Sequence, residues 1–69
     1  MADINRLKLV LVENKKTNRW LAKELTVNST TVSKWCTNTS QPDLYTLAKI
    51  ASLLSIDVPE LLNNKYQAQ

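Results

Sequence analysis

TNRWLAKELTVNSTTVSKWCTN, residues Thr17 to Asn38, decides how this chain reads. It divides into two short helical patterns around a three-residue turn. In the first, Leu21, Ala22 and Leu25 recur at the spacing that places them on one helix face, and Thr17 or Asn18 supplies a cap at the start. Ala22 is small where a second helix crosses closely, since a bulkier side chain would force the two apart. Thr26-Val27-Asn28 is the turn, and Asn28 caps the second pattern by offering its side-chain oxygen to an amide near Thr30 or Thr31. Along that second pattern Val32, Trp35 and Cys36 share one face, while Thr30, Ser33, Lys34 and Thr37 point the other way with Ser29 at the border. Burying the first set turns the second outward. Asn38 follows as the residue best suited, after glycine, to a left-handed stop.

Outward from this stretch the pattern stays helical, and five helices are expected with no strand. The first runs from about Asp3 to Asn14, with Ile4, Leu7 and Leu11 stacked on one face and Val10 beside them. Leu9 and Val12 fall off that stripe and either widen the core contact or face a partner. After a polar connector, Pro42 and the cap Asp43 open a fourth helix. It presents Leu44, Leu47, Ala48, Ala51 and Leu54 to the core, with Ile50 and Leu53 flanking, and stops at Ser55. Asp57-Val58-Pro59-Glu60 has the form of a capping box with proline in the first turn, so a short last helix should bury Val58, Leu61 and Leu62. Residues 1–64 then form one domain and 65–69 a C-terminal tail, with fraying expected from Asn63 onward.

Composition narrows the function. A chain of 69 residues holds one domain, and 43% hydrophobic content without low-complexity runs favours a folded one. No apolar run approaches the roughly 20 residues a membrane span needs, and Met-Ala-Asp-Ile-Asn lacks the regions of a signal peptide, so a cytoplasmic protein is expected. With one cysteine, Cys36, and no histidine, neither a disulfide, a metal cluster nor a Cys/His nucleophile can be assembled, and no cofactor is called for. The absence of glycine excludes phosphate-cradling Gly-rich loops. An enzyme is therefore not expected. Net charge is +3 and unevenly spread: Lys15, Lys16, Arg19, Lys23 and Lys34 stand against Glu24 alone, whereas Asp43, Asp57 and Glu60 stand against Lys49 further on. One basic half suits a polyanionic partner, although a solvated charged surface explains the same count.

The Thr17–Trp35 run, continued by Gln41-Pro42-Asp43-Leu44 and the closing Asp57-Val58-Pro59-Glu60-Leu61-Leu62, resembles the lambdoid phage repressor and Cro-type helix-turn-helix family, also called the xenobiotic-response-element family. The resemblance covers nearly the whole chain. It implies an all-α, compact five-helix repressor-like fold whose second and third helices form the helix-turn-helix, and a transcriptional regulator, a repressor, of double-stranded DNA. By resemblance the base-contacting positions fall on Ser29, Thr30, Ser33 and Lys34, and phosphate contacts on Asn18, Arg19, Thr31 and Thr37. Lys15, Lys16 and Lys23 would add long-range attraction. Ser and Thr in place of longer side chains imply reliance on close approach, bridging water and DNA shape.

Several positions depart from the family pattern. Thr26 stands where glycine is usual, in a place that favours positive φ. Cys36 and Leu11 replace a glutamate and an arginine that usually pair, an exchange of a buried ion pair for apolar packing. Cys36 is accordingly read as a small packing residue rather than a redox switch. Trp35 belongs with Val32 on the buried face, while Trp20, where a charge is common, either shields the end of the first helix or flanks the DNA backbone. The resemblance also implies a homodimer on a palindromic operator, joined through the C-terminal part, with Leu53, Leu54, Ile56 and the last helix as candidates. An antitoxin-type module that neutralises a toxin partner is the alternative, with no feature of the chain to support it.

Overall fold

The computed structural model describes residues 3–63. Among them are four α-helices, α1 (Leu7–Glu13), α2 (Asn18–Leu25), α3 (Ser29–Cys36) and α4 (Leu44–Leu54), followed by a single 3-10 turn over Val58–Leu61. The two helices of the opening stretch pack against each other more extensively than any other pair, α1 packs against α3, and the 3-10 turn packs against α4 and α1. One core joins all the elements: Leu7, Val10 and Leu11 from α1, Leu21 and Ala22 from α2, Val32 and Trp35 from α3, Ile50, Ala51 and Leu54 from α4, and Leu61.

The expected fifth helix is only that turn. Glu60 does reach back, its Oε2 accepting from the Asp57 amide at 3.0 Å, and Pro59 occupies the first turn. At Leu62, however, the backbone goes extended, because the chain there pairs with its own beginning: Asn5 and Leu62 form an antiparallel bridge. The Arg6 amide donates to the Leu61 carbonyl and the Asn63 amide to the Ile4 carbonyl, both at 2.8 Å. The same pairing explains why α1 starts at Leu7 rather than Asp3. Ile4, expected in the core stripe, sits at the surface, and Asn63, expected to fray, is tied down. The tail 65–69 and the boundary at residue 64 lie outside the described residues.

In α4 the buried arc centres on Ile50, Ala51 and Leu54, with Leu47 and Leu53 half-buried. Ala48, assigned to the core from sequence, lies about 110° round the helix from that arc and is exposed. Leu44, also assigned there, is the first helical residue and remains 75% exposed. Asp43 caps this helix, its Oδ1 accepting from the Thr46 amide at 2.7 Å, and that bond holds its carboxyl below the usual range.

All four helices stop by one device. Lys15, Thr26, Asn38 and Ser55 adopt φ of 57°, 58°, 60° and 57°. In each case the next amide bonds five residues back: Lys16 to Leu11, Val27 to Ala22, Thr39 to Lys34 and Ile56 to Ala51, at 2.8–2.9 Å. This is the Schellman pattern, which glycine usually serves because an L-residue in that region costs roughly 1–2 kcal/mol. A chain without glycine bears that cost four times, least at Asn38 and most at β-branched Thr26.

Candidate nucleic-acid interface

The start of α2 is fixed by Thr17, whose Oγ1 accepts from the Trp20 amide at 3.0 Å. The start of α3 is fixed by Asn28, whose Oδ1 accepts from the Thr30 amide at 2.8 Å, as its position in the sequence predicts. Between them Thr26 takes the left-handed conformation that glycine would supply, so the turn keeps its shape without it. Val32 is 0% and Trp35 7% exposed, and these two anchors set the rotation of α3. Ser29, Thr30, Ser33 and Lys34 stand exposed on the opposite side, with Thr31 half-buried at the edge.

Three residues read separately from sequence are joined here. Asn18, half-buried at the first position of α2, donates from Nδ2 to Ser33 Oγ at 3.3 Å and accepts at Oδ1 from the Cys36 thiol, also at 3.3 Å. It is a strut between the two helices. Burial pushes the Cys36 thiol pKa up, against the opposing pull of the Lys8 charge, so the thiol keeps the proton that this bond needs. Leu11 is buried in the core against which Cys36 packs. Thr37 is exposed, but its hydroxyl turns back onto the Ser33 and Lys34 carbonyls at 3.1 and 3.2 Å and pairs with Thr39 Oγ1 at 2.8 Å. Arg19 and Lys23, one turn apart on α2, share an exposed face. Trp20 packs against the core and carries the Lys16 ammonium 4.8 Å from its ring centroid.

The residues that hold α3 from behind were not foreseen. Asn38 Oδ1 accepts from the amides of Ile4 and Asn5, both at 2.9 Å, and from Gln41 Nε2 at 3.1 Å, while its Nδ2 donates to the Asn5 carbonyl at 3.2 Å. Asn5 in turn donates to the Trp35 carbonyl at 2.9 Å and to Gln41 Oε1 at 2.7 Å, and its Oδ1 accepts from the Leu7 amide at 2.9 Å. Both asparagines are buried with their polar atoms paired. This cluster fastens the N-terminal segment to the end of α3. Asparagine two residues ahead of an apolar periodic run is a recognisable side-chain-to-backbone turn, and that was the available signal for Asn5.

Among the described residues no helix is long and apolar enough to cross a membrane, and no group of three or more His, Cys, Asp or Glu side chains could hold a metal ion. No curated protein matches the sequence. A solved chain described as a candidate DNA-binding protein from Bacteroides fragilis is similar at 48% identity and a TM-score of 0.86, over 87% of this chain and 97% of that one. The Cro/C1-type HTH DNA-binding domain matches residues 6–65, and with the capped, crossed pair α2 and α3 at its centre the chain belongs to that family.

Proposed function

We propose that this protein is a sequence-specific regulator, a repressor, that lays α3 in the major groove of double-stranded DNA as a homodimer. The observation that carries the reading is the division of α3 into a face anchored by Val32 and Trp35 and an exposed face of Ser29, Thr30, Ser33 and Lys34. Two copies set about 34 Å apart would meet the half-sites of a palindromic operator. Leu53 and Ile56, half-buried near the end of α4, remain the residues for the dimer contact, since Leu54 belongs to the core. Selection of bound duplexes from a random pool tests the whole proposal: a palindromic consensus is expected, and recovery of unenriched sequence would overturn it.

Lys34 is the one long donor on the exposed face of α3 and is suited to guanine O6 and N7. Lys34→Ala should cost about 1–3 kcal/mol on the selected operator and relax preference at one base pair. Equal loss on every duplex would reduce Lys34 to a phosphate contact. Ser33 accepts from Asn18 at Oγ and keeps its own O–H free to donate, and so short an arm favours water-bridged over bidentate readout. The first turn of α2, with Asn18 and Arg19, and Thr31 and Thr37 on α3 would meet phosphates. Arg19→Ala should weaken binding uniformly and lower the slope of log affinity against log salt by about 0.9. An unchanged slope would remove Arg19 from the contacts.

A further inference from the structure

Asn18 connects a half-buried group of α3 to an exposed one. Its Oδ1 accepts from the Cys36 thiol and its Nδ2 donates to the Ser33 hydroxyl, both at 3.3 Å. An amide side chain placed between two such groups has a second setting, reached by a half-turn that exchanges its oxygen and nitrogen. In the observed setting an N–H points at Ser33 Oγ, so the Ser33 proton must turn elsewhere, and the hydroxyl is open on the exposed face of α3. In the other setting the amide oxygen would take that proton and leave Ser33 only lone pairs to present outward. That turn would also deprive the Cys36 thiol of the acceptor it now has. Burial keeps the thiol protonated and able to donate.

We propose that the hydrogen-bonded chain Cys36–Asn18–Ser33 makes Ser33 a donor toward DNA and thereby selects guanine or thymine at the base it faces. In the major groove guanine O6 and thymine O4 accept, whereas adenine N6 and cytosine N4 donate. A bridging water that accepts from Ser33 donates onward, so one water preserves the sense of the contact. Cys36 and Asn18 are then positioning residues that act on specificity through Ser33. The proposal rests on α3 lying in the major groove.

The test is base selection from the random duplex pool by the parent and its variants, together with nuclear Overhauser measurements on the free, isotope-labelled full chain. Ser33→Ala identifies the base pair concerned, as the position whose preference disappears while the rest of the consensus stands. There the parent should favour guanine or thymine over adenine or cytosine by about three- to tenfold. Cys36→Ala, which lets the amide turn, should reduce that ratio to below about twofold. Asn18→Asp offers oxygens to both neighbours and takes the Ser33 proton, so it should invert the preference toward adenine or cytosine. Its added negative charge should weaken binding to every duplex as well. In the free protein the Asn18 Nδ2 protons should give stronger Overhauser effects to the β protons of Ser33 than to those of Cys36. The reverse pattern would overturn the chain without reference to DNA. A parent pool with no consensus defeats the groove reading and this proposal together, whereas a consensus unchanged at that position in either Cys36→Ala or Asn18→Asp defeats this proposal alone.

Discussion

Asn38→Ala is expected to lower stability by about 3–5 kcal/mol, a large part of what a domain this small possesses. The change strands the amides of Ile4 and Asn5, each bonded to Asn38 Oδ1 at 2.9 Å, at roughly 1–3 kcal/mol apiece. It also leaves alanine at φ 60°, where asparagine is tolerated better. Two further variants separate these causes. Asn38→Gly relieves the backbone but not the stranded amides and should still cost about 2–4 kcal/mol. Asn38→Asp keeps the acceptor but sets a carboxylate oxygen against the Asn5 carbonyl in a buried place, so it too should destabilise, by about 1–3 kcal/mol. Urea unfolding followed by circular dichroism gives the order directly. A glycine variant as stable as the parent would mean that Asn38 serves the turn alone and that the cluster beneath it contributes nothing.

That contrast between backbone and side chain marks how far the sequence could be read. Thr17 to Asn38 was legible because its determinants are local: a cap at Thr17, a cap at Asn28, apolar residues at helical spacing, and a left-handed stop at Asn38. The exposure of Ser29, Thr30, Ser33 and Lys34 follows from the burial of Val32 and Trp35 and was legible with it. Bonds that cross the fold were not. Asn38 meets Ile4 and Asn5 more than thirty residues away, Asn18 meets Ser33 and Cys36 across two helices, and the bridge between Asn5 and Leu62 joins the two ends of the domain. Periodicity assigned Ile4 to α1 and Leu62 to a helix because nothing in either neighbourhood announces its partner. In α4, apolar residues lie most of the way round, so the pattern alone could not choose between Ala48 and Ile50 as the centre of the buried arc.

Leu21→Ala is the second large effect, with an expected loss of about 2–5 kcal/mol. Leu21 has no exposed surface and lies on α2, the helix most extensively packed against α3, so its truncation leaves a void in the core. The denaturant midpoint should fall with little change in slope, since the surface exposed on unfolding is nearly the same. The consequence for DNA separates folding from recognition. No atom of Leu21 reaches solvent, so DNA binding of the variant should weaken only by the fraction that is unfolded and should recover on addition of a stabilising osmolyte. If the variant were fully folded by circular dichroism and still bound its operator weakly, the angle between α2 and α3 would depend on this one side chain. Recognition would then rest on how closely the helix pair is packed as well as on the groups that α3 exposes. An unchanged unfolding midpoint would show instead that the seam between the two helices is not where the stability of this domain resides.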